Sequence, residues 1–386
     1  MGPDGGVVPT PALDAQREGE FASKNSNKTS DWGRMVMKRN LVFAAAFGCV
    51  VIGAGPSVAA DLPAKAVAPP PPAPFFIVNE NSIGYYYAPT ATNPGAGKTP
   101  KNVGTFTHFD IWEYGTNYFS LEYLNAVNNR APLLGTPASP CDQNGPLDPP
   151  GSERCPGYTE IYGFLRSTLG WNQIFKTNAF AIGPLTNIEF AGGVDANTDN
   201  TTLGSAKRSI QGGLQFDFSA PYKGFFNVGV YAYKEWQHDG FASTFPFEPI
   251  PNPSGDVNFN TTWAVEVNYA QPLGFLPSYI PLTFKSLLVI HGPKGCGETC
   301  APLGPGLIRT TEYLTQQNLI LDVGKLAWDK PNQFSVWVGY CFWKNKFGIK
   351  ATQPNGEAVD NPNEPITVTF PFTNESTWLM GSTLTF

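Results

Sequence analysis

Charge is scarce in this chain. Asp, Glu, Lys and Arg together make up 15% of its 386 residues, and the net balance is −6. A nucleic-acid partner would need a basic patch to meet phosphates, and the sequence has none. Histidine is scarcer still, with three residues: His108, His238 and His291. None stands in a His-x-Ser-Asn-Gly context, and no Gly-x-Ser-x-Gly occurs. A membrane hydrolase, which needs a nucleophile beside an oriented base, is therefore not expected. Long apolar runs are missing too. After residue 60 none approaches the roughly 20 residues of a membrane-spanning helix. If the chain crosses a membrane, it must do so as a closed barrel, the other way to satisfy every backbone polar group in lipid. What is plentiful agrees. Aromatics at 13% are too many for a disordered chain, and 40 Gly with 37 Pro suit many strands separated by turns.

Cysteine is limited to six residues. Cys141 and Cys155 flank a Pro/Gly-rich loop, and Cys296 and Cys300 flank Gly-Glu-Thr. Each pair fits a local disulfide in an oxidising compartment. Zinc at Cys296 and Cys300 is the rival, but no second ligand pair stands nearby. Cys341 lies within a strand pattern and reads as a buried free thiol. Cys49 falls in the leader described next. No metal and no cofactor is expected.

The two ends carry the sharpest signals. Residues 37–60 read as a secretory signal peptide. Lys38 and Arg39 are its positive region, Leu41 to Ile52 its short apolar region, and Val58-Ala59-Ala60 its cleavage site. Residues 1–36 read as an upstream extension from a start codon taken too early. Residues 61–80 read as a Pro-rich periplasmic linker, and 81–386 as the folded unit. At the other end, Trp378, Met380, Ser382, Leu384 and Phe386 share one face of a last strand. An apolar stripe ending on an aromatic is the feature that outer-membrane insertion machinery is expected to read, so that machinery, outer-membrane lipid and lipopolysaccharide are the expected partners. The expected location is the Gram-negative outer membrane.

Between these ends the polarity alternates in twelve segments: 81–88, 101–111, 116–126, 158–169, 185–196, 205–218, 225–238, 259–270, 281–292, 309–323, 333–345 and 374–386. Alternation over about ten residues is the mark of a transmembrane β-barrel, and bacterial single-chain barrels have even strand numbers. With the first strand starting in the periplasm, the outward connections are mostly long (127–157 and 346–373 above all) and the inward ones mostly short. The predicted fold is all-β: one transmembrane antiparallel barrel of about 12 strands.

In such a barrel the apolar face meets lipid and the polar face lines the lumen. Charge decides most strands, because Arg facing lipid at mid-depth costs about 2–4 kcal/mol. The alternation places Glu160, Tyr162, Phe164 and Arg166 inside, opposite Ile161, Leu165 and Leu169. It places Tyr118 and Glu122 inside on the third segment, and Phe106, His108 and Asp110 on the second. Glu189, Asp195, Lys207, Tyr231, Tyr233, Glu235 and Glu266 follow by the same rule. Lys285 and His291 go inside if Phe284 and Ile290 face lipid. These carboxylates, cations and tyrosines either stiffen the barrel or line a solute path. A flat solute with hydroxyls would stack on the aromatic faces and donate hydrogen bonds to the carboxylates.

Four runs carry a family resemblance. They are Phe106-Thr107-His108-Phe109-Asp110-Ile111-Trp112-Glu113-Tyr114-Gly115-Thr116-Asn117-Tyr118-Phe119, Thr159-Glu160-Ile161-Tyr162-Gly163-Phe164-Leu165-Arg166, Leu321-Asp322-Val323-Gly324-Lys325, and Trp343-Lys344-Asn345-Lys346-Phe347-Gly348. In this order, spread over nearly all of 81–386, they resemble the Tsx-like nucleoside-specific channels of the outer membrane. The resemblance implies a twelve-stranded channel for nucleosides. The chain departs from the family at Tyr85-Tyr86-Tyr87, where the family often has an Arg, and in its Cys-bearing outer loops. The expected function is diffusion of a small polar solute through a monomer. The alternatives are a narrow porin without solute preference and a plugged structural or adhesive barrel.

Overall fold

A computed structural model describes residues 75–93, 97–98, 100–129, 155–199, 206–238, 256–277, 279–295, 309–349, 352–357, 365–369 and 373–386. The leader, the upstream extension and most of the linker fall outside them. So do Cys141, Cys296, Cys300 and the side chain of Cys155.

Alternating segments that cannot bury themselves alone pair edge to edge until no edge is left. Twelve strands do so here: β1 Phe76–Ala88, β2 Lys101–Trp112, β3 Gly115–Asn129, β4 Cys155–Gly170, β5 Leu185–Asp199, β6 Ala206–Ser219, β7 Phe225–His238, β8 Thr262–Pro272, β9 Leu282–His291, β10 Glu312–Asp322, β11 Phe334–Lys344 and β12 Glu375–Thr385. Each pairs antiparallel with its neighbours in sequence, and β12 returns to β1 with Ser82 opposite Thr385 and Tyr87 opposite Met380. The result is a closed up-and-down barrel. Each predicted segment overlaps one strand. The first strand starts at Phe76, so the barrel begins within the stretch read as linker.

One end carries the connections 113–114, 171–184, 220–224, 273–281 and 323–333. The four longest, 130–154, 239–261, 292–311 and 345–374, are at the other, together with 89–100 and 200–205. The 323–333 turn shows how a short connection is held. The Asp322 side chain accepts from Lys325 N at 2.9 Å and Asn332 N at 2.8 Å. It thereby caps the one-and-a-half-turn helix Val323–Trp328.

The outer wall is apolar and banded. Phe218, Phe226, Tyr269 and Phe284 meet in succession across β6 to β9, tilted or edge to face, with ring centroids 5.4, 6.4 and 6.1 Å apart. They form a girdle at the short-turn end. Near the other end Trp236, Trp263, Tyr313 and Phe342 are exposed on the outer wall. Ile161, Leu165, Val194, Val230 and Val338 are exposed between the two levels. Aromatic girdles bordering an exposed apolar belt define a barrel that spans a bilayer. No helix among the described residues is long and apolar enough to cross one.

The interior is packed on one side. Tyr86, Val103, Phe109, Leu124, Leu314, Trp337, Trp343 and Leu379 form one apolar cluster inside the wall of β1–β3 and β10–β12. Cys341, in no disulfide among the described residues, is buried in this cluster with its Sγ 4.0 Å from Glu375 Oε1.

Candidate functional site

The strands β4 to β8 carry most of the charge around the middle of the lumen. Lumen-facing positions on adjacent strands lie side by side, so charged residues at matching levels meet across the wall. Arg166 of β4 reaches Glu266 of β8, with Nη2 at 2.8 Å from Oε1 and Nε at 3.2 Å from both carboxylate oxygens. Its Nη2 also lies 3.1 Å from Asp195 Oδ1. Asp195 accepts in turn from Tyr162 OH at 2.8 Å and Ser209 Oγ at 2.9 Å. The guanidinium lies over the Phe164 ring, 5.2 Å from its centroid. Phe164 stands 5.5 Å from Tyr118 and 5.6 Å from Tyr162, centroid to centroid.

These groups border a chamber of about 150 Å³ in the middle of the barrel. One wall is mainly aromatic and aliphatic (Phe109, Tyr118, Phe164, Leu287, Val289, Leu314 and Trp343), interrupted by His291 and Glu312. The facing wall is polar: Arg166, Asp195, Lys207, Gln215, Asn227, Glu266 and Asn268, with Tyr231 among them. Toward the short-turn end lies a wider vestibule of about 450 Å³. Phe109 borders both spaces.

Toward the long-loop end the lumen is filled. Glu235 accepts from Lys294 Nζ at 2.6 Å and from Tyr233 OH at 2.6 Å, and Lys207 Nζ lies 3.9 Å away. Glu312 contacts His291 Nδ1 at 3.2 Å and accepts from Trp343 Nε1 at 2.7 Å. His291 stacks on Tyr233 at 4.2 Å. Lys346, fully buried, donates to Glu375 at 2.7 Å and to Thr92 O at 2.8 Å. Asn345, Phe347 and Gly348 all have positive φ, and this tight turn folds Lys346 and Phe347 inward over the strand ends. Buried charges need partners of this kind, because an unpaired ion in a low-dielectric interior costs several kcal/mol.

The sequence-predicted residues fall into three groups. Tyr118, Tyr162, Phe164, Arg166, Tyr231 and Glu266 line the chamber. Glu122, Glu160, Glu189, Tyr233 and Glu235 also face inward but sit in the packed network around it. Tyr86 OH donates to Glu122 at 3.4 Å, and Asn197 to Glu160 at 2.8 Å. Glu189 accepts from Asn187 and Gln215, each at 3.2 Å. Lys285 and His291 also point inward, with Phe284 and Ile290 outside.

His108 and Asp110 do not belong there. The expectation for β2 was one residue out of phase. Thr107 and Phe109 pair with Ser120 and Tyr118 of β3 and face the lumen, while Phe106, His108 and Asp110 face out. On the outer wall His108 contacts Asn81 at 3.0 Å and Asp110 at 3.3 Å. Asn117 donates to Asp110 at 2.9 Å, and Ser167 to Asn117 at 2.7 Å. This ladder lies near the 113–114 turn, at the edge of the apolar belt, where Asp110 is buried among its own polar partners.

Sequence reading missed Lys294, Glu312 and Lys346. Lys294 and Lys346 lie in connections where no alternation exists to follow. Glu312 opens β10, and its alternation was available. Among the described residues no Ser, Thr or Cys side chain is hydrogen-bonded to a histidine; His238 contacts Asp256 at 3.1 Å.

No protein-family model matches the sequence, and no curated protein is similar to it. Among solved structures the chain is similar to the translocator domain of the autotransporter NalP from Neisseria meningitidis, at 9% identity and a TM-score of 0.34, covering 98% of this chain and 99% of that one. It is similar to the toluene transporter TodX of Pseudomonas putida, at 7% identity, a TM-score of 0.30 and coverage of 80% and 88%. It is also similar to OccAB2 of Acinetobacter baumannii, at 12% identity, a TM-score of 0.26 and coverage of 80% and 97%. The class of this protein, a transmembrane β-barrel, rests on its own strand pairing and its own apolar belt.

Proposed function

We propose that the protein is a diffusion channel of the Gram-negative outer membrane for small polar solutes, nucleosides foremost. One observation carries this reading: the mid-barrel chamber sets an aromatic wall against a polar one. A nucleobase stacked on Phe164 and Tyr118 gains roughly 1–3 kcal/mol per base, as at single-stranded nucleic-acid sites. Its sugar hydroxyls would donate to Glu266 and Asp195. Neither interaction is covalent or deep, which suits a site that must also release its solute. The resemblance of the Phe106–Phe119 and Thr159–Arg166 runs to the Tsx-like channels points to the same solute.

The filled long-loop end favours a second reading, a plugged structural barrel. Uptake of radiolabelled adenosine into proteoliposomes separates the two. Saturable uptake, competed by unlabelled adenosine and not by sucrose, supports the channel. Uptake no faster than in protein-free vesicles sinks it.

A further inference from the structure

One arc of the chamber wall is built from small residues. Thr168, Ala191, Gly213, Tyr231, Ala264 and His291 follow one another across β4 to β9, each paired with the next. On β5 to β8, Tyr231 is the one bulky member of this row. Ala191 and Ala264 share an apolar cluster with it. Tyr231 belongs to the polar wall of the chamber, yet its ring lies back along its own strand. A Cβ added at Gly229, two residues earlier on the same lumen face, would overlap Oη and Cζ of Tyr231 and stand 2.5 Å from Cε2. The phenol therefore occupies the place that a side chain at 229 would take. Gly229 has no positive φ, so what it supplies is space. Glycine inside a strand weakens it and marks such a close approach. No hydrogen bond among the described residues ties down the Tyr231 hydroxyl, so fit alone holds the ring there.

We infer that Tyr231 sets the width of the solute path through the chamber, and that Gly229 keeps the path open by giving the ring a place to lie. The flanking residues leave that place clear. Gln215 and Glu266 are the cross-strand neighbours of Gly229. Gln215 donates to Glu189 and Asp217, and Glu266 is held by Arg166. With the ring against the wall, a flat solute has the space between it and the aromatic side. With the ring turned inward, a phenol narrows a chamber of only about 150 Å³. Arg166 is accommodated in the same manner. A Cβ at Gly193 would stand 2.6 Å from its Cδ and 2.8 Å from its Nη1, but also 2.5 Å from Leu165 O of the backbone. At Gly229 the three nearest atoms all belong to Tyr231, a side chain that can turn away, so this is the cleaner position to test. Tyr231 is thus a specificity-determining residue, and Gly229 is a positioning residue that acts through it. The inference rests on the channel reading above and not on the identity of the solute.

The test uses full-length refolded protein in planar bilayers and liposomes, with closure of each barrel checked by its heat-modifiable migration on a gel. Gly229→Ala turns the ring into the chamber and should lower single-channel conductance in potassium chloride by about half or more, because flux follows the pore radius. Tyr231→Ala should raise the conductance, and it should speed liposome swelling by raffinose relative to arabinose. The double variant Gly229→Ala/Tyr231→Ala should conduct like Tyr231→Ala, since position 229 no longer matters once the ring is gone. A merely structural glycine would not show that rescue, because damage to the strand would persist without the phenol. A Gly229→Ala conductance equal to wild type, a loss that the double variant does not restore, or a Tyr231→Ala channel no wider than wild type would each overturn the proposal. If Gly229→Ala does not close into a barrel, Tyr231→Trp takes its place: the larger ring should lower the conductance, and an undiminished conductance would overturn the proposal. Potassium conductance reads the bore whether or not adenosine binds, so failure here is distinguishable from failure of the nucleoside reading, which adenosine block reports. A wild type without openings overturns both.

Discussion

Arg166 and Glu266 form a bidentate ion pair across the lumen between strands that are four apart in the barrel, and Asp195 shares the same guanidinium. The pair pins one arc of the wall and fixes where the polar side of the chamber ends. Removing the cation leaves two carboxylates facing each other in a confined space. Arg166→Met is therefore expected to lower stability by about 3–5 kcal/mol, the usual cost of orphaning a buried ion. Urea unfolding in lipid vesicles measures it. The same variant should move the reversal potential toward greater cation selectivity, because one cation is lost while Asp195 and Glu266 stay, with Lys207 the cation left on that wall. An unchanged potential would place the pair outside the conduction path.

Phe109 stands between chamber and vestibule. Phe109→Ala should join them and raise single-channel conductance, with solute block weakened because one aromatic is lost from the wall. A conductance equal to wild type would mean that the narrowest point lies elsewhere, at the long-loop end.

The outer belt makes an independent prediction. Val230→Arg puts a cation against lipid and should cost about 2–4 kcal/mol near mid-depth. Asn227 on the same strand lines the chamber beside Asp217 and should tolerate Asn227→Lys far better. Similar losses at both positions would contradict the assignment of faces.

The phase of β2 is testable by labelling. A spin label at His108→Cys should contact the lipid phase or its edge, and one at Phe109→Cys should contact water from the lumen. The reverse result would restore the phase expected from the sequence.

That error shows what the sequence made legible. On β4 the rule of polar inside and apolar outside worked, because Glu160 and Arg166 have no alternative to the lumen and Ile161 and Leu165 belong in lipid. On β2 both faces are mixed. Phe109 and Val103 point inward because that side of the lumen is a packed apolar cluster. His108 and Asp110 point outward because at the edge of the belt they satisfy each other together with Asn81 and Asn117. Strand number and order were readable, since alternation and turn residues are local. The inward fold of Lys346 and the partnership of Lys294 with Glu235 were not, since both arise from loops whose contacts are long-range.

Binding in the chamber has its own signature. Phe164→Ala removes a stacking face worth roughly 1–3 kcal/mol, so adenosine affinity should fall between about five-fold and about a hundred-fold. Phe190→Ala, on the outer wall, should leave it unchanged. Equal effects from both would mean that the loss comes from the barrel and not from the site.

The most direct measurement is single-channel conductance of the refolded protein in a planar bilayer, with and without millimolar adenosine. Small, steady openings that adenosine reduces saturably are the predicted result. A bilayer that shows no openings, or openings that adenosine leaves untouched, would contradict a nucleoside path through the chamber.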